Sequence, residues 1–393
     1  MDSSRYKSEL LKCVRCGSCK ALCPTYDNDT IEPMGARGRL ALLWGLSAEQ
    51  LVFSPLLNDR IFSCTLCGSC SRLCASGVDI KEIIFHGRSL LKRTDTSRRY
   101  LRILTKFFTK SPELGFKIVK MTQHLCRPYL SKRGLLPSQM KLPDRHLKDN
   151  LQVVTVPKKK GRVAVFTGCM VNFLYPHLGE ALIDVLHMLG YEVILPAGEV
   201  CCGIPLRALG LEEDAAALAK KNVDTFSRLN VEAVVSLCPT CTLALRSEYP
   251  KMIGKGVENI MDVSSFLINK RESLAVSGLS APVKDAFFHD PCHLKYGLGV
   301  EKEPREILGN IGIDVIKTKE ESCCGFAGTF CFSYRKLSQK ILGDCIKNYS
   351  DKKAEMIITA CPGCILQLSK EIKNKPILHL IEVIEEAMLQ KDR

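Results

Sequence analysis

Through the back two thirds of the chain, short apolar runs alternate with stretches of helical periodicity. Arg162-Val-Ala-Val-Phe-Thr167 predicts a strand that runs into Gly168-Cys169. Leu178, Ala181, Leu182, Val185, Leu186 and Leu189 then recur at helical spacing, closed by Gly190. Tyr191-Glu-Val-Ile-Leu195 predicts a second strand, Glu212 to Leu229 a helix, and Val231 to Leu237 a third strand that ends at Cys238. The same grammar returns in Ala286–Asp290, Ile313–Ile316 and Ala354–Ala360, and Val257–Leu267 is matched by a closing element from Pro376 to Glu386. Alternating strands and helices predict βαβ units with parallel sheets. Open sheets of that kind place ligands beyond the carboxyl ends of their strands, which is where the cysteines fall.

The front of the chain has a different pattern. A Gly- and Arg-rich loop, Glu32-Pro-Met-Gly-Ala-Arg37-Gly38-Arg39, opens an apolar helix at Leu40-Ala-Leu-Leu-Trp44. Tyr100, Leu101, Leu104, Phe107 and Phe108 fall near one helical face, with Arg99, Arg102 and Lys106 among them. Phe116, Val119 and Gln123 predict another helix, and Pro128, Pro137, Pro143 and Pro157 are read as breaks.

Cysteine usage changes the picture most. There are 21 cysteines in 393 residues, and Met1-Asp-Ser-Ser-Arg-Tyr-Lys-Ser lacks the apolar core of a secretory signal. The expectation is a reducing cytoplasm and metal ligation, not disulfides; a Cys201–Cys202 disulfide is the alternative. No apolar run approaches the roughly 18 residues of a membrane span. Cys169, Cys201, Cys202, Cys238 and Cys241 recur as Cys292, Cys323, Cys324, Cys361 and Cys364, at offsets of 123, 122, 122, 123 and 123 residues. The back half is therefore a duplication.

The front half repeats a different motif. Cys13-x-x-Cys16-x-x-Cys19-x-x-x-Cys23-Pro24 returns as Cys64-x-x-Cys67-x-x-Cys70-x-x-x-Cys74, with Ala75 in place of the proline. This is the bacterial ferredoxin run, in which the fourth cysteine ligates the other cluster. The sets are then Cys13, Cys16, Cys19 and Cys74 for one [4Fe–4S] cluster and Cys64, Cys67, Cys70 and Cys23 for the second, with Gly17 and Gly68 inside the turns. Zinc sites use separated Cys pairs and fit a triple run poorly. Arg37 and Arg39 are read either as stabilising the anionic cluster or as solvated connector residues.

The net charge of +14 is concentrated. Arg88 to Lys160 holds 19 Lys and Arg against four acids, a balance of +15. A basic connector is expected there, either solvated or docking on an acidic partner or an anionic membrane surface through Arg98, Arg99, Arg102 and Lys106. No recognition motif for nucleic acid accompanies it.

The spacing Cys169-x31-Cys201-Cys202-x35-Cys238-x2-Cys241 and its second copy resemble the cysteine-rich domain of heterodisulfide reductase catalytic subunits. With the ferredoxin run in front, the chain resembles the glycolate oxidase iron–sulfur subunit family. Supporting stretches are Cys23-Pro-Thr-Tyr26, Gly35-Ala-Arg-Gly-Arg39, Asp290-Pro-Cys-His-Leu294, Cys323-Cys-Gly-Phe-Ala-Gly328 and Thr359-Ala-Cys-Pro-Gly-Cys364. The resemblance implies an α+β chain. A helical two-cluster ferredoxin-type domain (1–90) and a basic helical connector (91–160) would precede two α/β cysteine-rich modules (161–275 and 276–393). It implies that each set of five cysteines holds a non-cubane [4Fe–4S] cluster, or in one module zinc. His289 and His293 flank Cys292 and are expected to be structural, with a hydrogen bond to a cluster sulfide as the alternative. Cys331 is read as a small buried hydrophobe or a spare ligand.

No G-x-G-x-x-G after a strand, no P-loop and no nucleophile elbow appears. Redox centres without a hydride acceptor imply an FAD-containing partner subunit. The expected function is the iron–sulfur subunit of a flavin-linked 2-hydroxyacid dehydrogenase of glycolate type, delivering electrons to a quinone or other carrier and peripheral to the inner membrane face. The alternatives are a heterodisulfide reductase and a scaffold holding metal only structurally.

Overall fold

The computed structural model describes residues 3–134, 137, 142–149, 153–156, 160–270, 283–318, 322–350 and 353–391. The predicted boundary at 275, Pro157 and the side chain of Cys126 lie outside the described residues.

The β-branched runs form the centres of two sheets, because only a strand buried on both faces accepts such continuous apolar sequence. The first sheet has the order 153–154, 191–194, 161–165, 233–236, 260–262. Its last four strands are parallel, and Val153–Val154 pairs antiparallel at one edge. The second sheet has the order 314–316, 285–289, 356–359, 377–379 and is parallel throughout. The four parallel strands follow the same order in both sheets, as duplication requires. The edge strand 153–154 was not legible in the sequence, since two residues carry no periodicity.

The two repeats share a core. Leu178, Leu182, Val185 and Leu186 of helix Pro176–Met188 lie in one apolar cluster with Leu380, Ile381, Ile384 and Met388 of helix Leu380–Lys391. Each such side chain contributes about 1.5–3 kcal/mol by leaving water, so neither repeat has an independent interior on this face. A polar tie crosses the same seam. Buried His379 donates from Nε2 to the Leu237 carbonyl (3.0 Å) and accepts at Nδ1 from the Ile381 amide (3.2 Å).

At the front, helices Ala36–Ser47, Pro55–Phe62 and Ile80–Leu91 close around Leu43, Ile61, Ile83, Ile84 and Phe85. Ser54 and Asp79 cap two of them by accepting the amides of Leu57 and Glu82. This helical unit is fastened to the first repeat by charge. Arg207 is buried among Glu82, Glu212 and Glu248, with its guanidinium 4.2 Å from the centre of the Phe85 ring.

The connector departs from expectation. Helix Arg99–Lys110 turns Arg102, Thr105 and Thr109 inward and leaves Tyr100, Ile103 and Leu104 81, 55 and 53% exposed. The cause is hydrogen bonding. Arg102 donates to the Leu209 and Asp95 carbonyls (3.0 and 2.6 Å) and to the Asp95 carboxylate (2.7 Å). Arg98 pairs with Asp95 and lies over the Phe62 ring at 4.5 Å. Arg98 and Arg102 thus hold the fold together and do not face a partner. Pro128 does not break the chain either; it lies within helix Pro112–Lys132. Among the described residues no helix is long and apolar enough to cross a membrane.

Candidate metal centres

The two ferredoxin-type runs interleave. Cys13, Cys16, Cys19 and Cys74 line one pocket, and Cys64, Cys67, Cys70 and Cys23 line another. Four thiols apiece make them alike. The crossed grouping follows from the fold, since each short helical turn after a triple run carries its fourth cysteine towards the other pocket. The Leu66 amide donates towards Cys64 Sγ at 3.4 Å, and Ser69 Oγ, whose hydroxyl donates to the Leu22 carbonyl, lies 3.3 Å from Cys67 Sγ. Cys16 is exposed while Cys23 and Cys67 are buried, so the first pocket is the more open to the surface.

Neither arginine of the loop is a solvated connector residue. Arg39 is buried and donates to the Arg60 carbonyl, Thr25 and Ser63. Arg37 lines the first pocket, pairs with Glu32 at 2.5 Å and donates to the Arg15 carbonyl at 3.0 Å.

In each repeat the five cysteines come together from three strand ends. The thiols of Cys169, Cys201, Cys202, Cys241 and Cys238 are neighbours in that order. Cys292, Cys323, Cys324, Cys364 and Cys361 repeat the series, with Cys324 and Cys364 sulfurs 3.4 Å apart. Gly203 and Gly325 explain the third residue of Cys-Cys-Gly. Their φ angles are +81° and +76°, and a Cβ at Gly325 would lie 2.8 Å from the Ser338 carbonyl oxygen. This left-handed step turns the chain into the following segment with both thiols on one side. Five thiols in a row exceed the four that a tetrahedral zinc accepts, and they fit a cluster with several irons. In the dicluster domain burial pushes the Cys67 thiol up to about 12, with nearby Cys323 adding to the effect, so a metal binding there must displace a proton.

Three side chains outside the predicted ligands shape these sites. Glu199 accepts from the Thr167 and Gly168 amides (3.2 and 2.7 Å), the Thr167 hydroxyl (2.9 Å) and Lys148 (2.8 Å), fixing the turn before Cys169. Tyr249 donates to the Cys202 carbonyl at 3.1 Å. No spacing rule marks either residue. His293, expected to be structural, has a defined junction role. Its Nε2–H donates to the Leu66 carbonyl (3.0 Å) between Cys64 and Cys67, and its Nδ1 accepts from Thr240 (2.7 Å) between Cys238 and Cys241. One imidazole beside Cys292 therefore joins three cysteine loops. The repeats also meet directly, because the thiols of Cys238 and Cys361 are neighbours. Cys331 is buried and donates to the Gly328 carbonyl at 3.2 Å.

Comparison with known proteins agrees with this arrangement. Residues 9–78 match a 4Fe-4S dicluster domain, and residues 163–246 and 286–369 each match a cysteine-rich domain. The chain is 26% identical over 422 residues to a probable glycolate oxidase iron–sulfur subunit of Bacillus subtilis, covering 97% of this chain and 94% of that one. It is 30% identical over 240 residues to lactate utilization protein A of the same organism, covering 57% of this chain and 98% of that protein. A crystal structure of a hypothetical protein from Helicobacter pylori superposes with a TM-score of 0.53 at 12% identity, over 99% of this chain and 73% of the other, a likeness of fold. The chain carries iron–sulfur clusters as a component of an oxidoreductase, its dicluster domain followed by two cysteine-rich domains, and it belongs to the family that includes the glycolate oxidase iron–sulfur subunit and lactate utilization protein A.

Proposed function

We propose that this chain is the electron-transfer subunit of a flavin-linked 2-hydroxyacid dehydrogenase of glycolate type, passing electrons from an FAD-containing partner to a quinone or other carrier. The observation that carries the reading is the continuity of the four cysteine groups. Cys19 of the first dicluster pocket neighbours Cys23 of the second, Cys67 of the second pocket neighbours Cys292 and Cys323, and Cys361 neighbours Cys238. We assign Cys13, Cys16, Cys19 and Cys74 to one [4Fe–4S] cluster and Cys64, Cys67, Cys70 and Cys23 to the other. Cys169, Cys201, Cys202, Cys238 and Cys241, and Cys292, Cys323, Cys324, Cys361 and Cys364, are assigned to two further centres. Bound clusters supply one-electron transfer. The residues around them hold the sulfurs in register and keep water from the interior sites, and His293 fixes the spacing of three loops. The same reading divides the chain at about residues 90, 160 and 275.

The outward face of helix Arg99–Lys110 bears on where the subunit works. Tyr100, Ile103 and Leu104 stand clear of the core beside exposed Arg99 and Lys110. That combination suits insertion into the headgroup layer of an anionic membrane. It supports a peripheral association carried by apolar residues and not by Arg98 or Arg102.

A second reading, heterodisulfide reduction at the second cysteine-rich domain, draws on one feature. Cys292 and Cys323 line a cleft with Lys295, Tyr296 and Asn348. The two readings separate on anaerobic mixing of the reconstituted subunit with glycolate, with and without its flavoprotein, while cluster absorbance is followed. Bleaching only with the flavoprotein present is expected. Bleaching by a hydroxy acid alone overturns the proposal, and bleaching by a thiol pair favours the second reading.

A further inference from the structure

The cysteines of the two repeats match one for one, but their surroundings differ at one place. Phe166 and His289 each stand three residues before the first cysteine of their domain. In the first domain Phe166 is buried against Phe226, ring centres 5.7 Å apart. In the second the corresponding aromatic pair is polar. His289 is 2% exposed, its ring centre lies 6.1 Å from that of Tyr349, and its Nδ1 is 2.6 Å from the Tyr349 hydroxyl. Cys345 adds a thiol 3.9 Å from the same nitrogen. A ring nitrogen of His289 and the sulfurs of Cys324 and Cys364 all lie within 4.8 Å of one another. The first domain has no equivalent donor at this position, and the nearby Tyr249 hydroxyl is engaged by the Cys202 carbonyl.

Hydrogen bonds to cluster sulfurs stabilise the more negative, reduced state and raise the reduction potential. A buried pair surrounded by low dielectric strengthens such a bond. We propose that His289, oriented by Tyr349, hydrogen-bonds the sulfur ligands Cys324 and Cys364 and makes the second domain's centre easier to reduce than a phenylalanine there would. The five thiolates already provide the ligands, so His289 acts as a positioning residue beside the metal. Two chemically duplicated sites would thereby become electronically distinct, which gives the chain a direction for electron flow. The inference rests on the reading that the second domain holds an iron–sulfur centre.

The test is a potentiometric titration of the full reconstituted chain followed by electron paramagnetic resonance. The second centre's signal is first identified as the one lost in Cys323→Ser and Cys324→Ser. In His289→Phe that signal should remain, with its reduction equilibrium shifted about tenfold towards oxidised, about 59 mV for one electron. The signal lost in Cys201→Ser should not move. Tyr349→Phe, which keeps the ring and removes the orienting hydroxyl, should shift the same signal in the same direction by less, and covers the case in which His289→Phe does not fold. An exchangeable-proton coupling in the wild type should disappear with His289. An unmoved midpoint in both variants overturns the proposal, as does a strong nitrogen coupling, which would make His289 a ligand. Absence in the wild type of any signal dependent on Cys323 and Cys324 overturns the cluster reading itself and the proposal with it.

Discussion

Acidification should loosen the seam between the two cysteine-rich domains through His379. This residue is fully buried, and both ring nitrogens are engaged, Nε2 as donor to Leu237 and Nδ1 as acceptor from Ile381. A proton added at Nδ1 removes an acceptor and leaves a charge in an apolar environment. Burial accordingly lowers the imidazole from 6.5 to about 4. The unfolded chain binds this proton near pH 6.5 and the folded chain only near 4. In between, the unfolded state holds more protons, so stability rises with pH and is fully present above about 6.5. It is lost as pH falls through that window and levels off below about 4. Each unit of separation corresponds to about 1.36 kcal/mol. The full loss from this residue is therefore about 3 kcal/mol, and about 2 kcal/mol is already lost at pH 5. The assay is anaerobic urea unfolding at pH 7.5 and 5.0 at constant ionic strength, comparing wild type with His379→Gln. The variant retains a donor and an acceptor but cannot titrate, so its loss on acidification should be smaller by about 2 kcal/mol. Equal losses in the two proteins would refute the reasoning.

Further predictions follow from the same structure. Arg207→Met should destabilise the chain by about 3–5 kcal/mol, because Glu82 and Glu248 remain buried without their shared partner; a loss below about 1 kcal/mol in urea unfolding would mean that the cluster relaxes without cost. Cys74→Ser should abolish the resonance signal of the cluster assigned to Cys13, Cys16 and Cys19 while leaving that of Cys64, Cys67 and Cys70, and the opposite pattern would exclude crossed ligation. Ile103→Glu with Leu104→Glu should abolish flotation with vesicles containing anionic phospholipid without changing the far-ultraviolet circular dichroism. Flotation unaffected by this pair would remove helix Arg99–Lys110 from membrane contact.

The cysteine chemistry was legible in the sequence because it is local. Two triple runs, and five cysteines that recur 122 or 123 residues later, predict a grouping before any fold is known, and the cysteines of the two runs line two pockets of four. The parallel strands were legible for a similar reason, since Val163-Ala-Val and Met356-Ile-Ile are too apolar for any exposed position. What escaped is long-range. The inverted connector helix depends on Asp95 and on the Leu209 carbonyl, 107 residues from Arg102, and a periodicity argument assumes that the apolar face turns inward. Glu199 and His293 act through partners on other elements, and His293 reaches Leu66 across 227 residues. The shared core was also hidden, because helical spacing shows which face is apolar and not which neighbour covers it.

The account stands or falls on whether both cysteine-rich domains hold iron in addition to the dicluster domain. The direct measurement is iron and acid-labile sulfide per chain on anaerobically reconstituted protein, with Mössbauer spectra of the wild type, Cys201→Ser/Cys202→Ser and Cys323→Ser/Cys324→Ser. The predicted result is iron beyond what two [4Fe–4S] clusters require, in two portions, each lost with one pair of adjacent cysteines. Iron that matches the two dicluster sites alone, unchanged in both double variants, would contradict it.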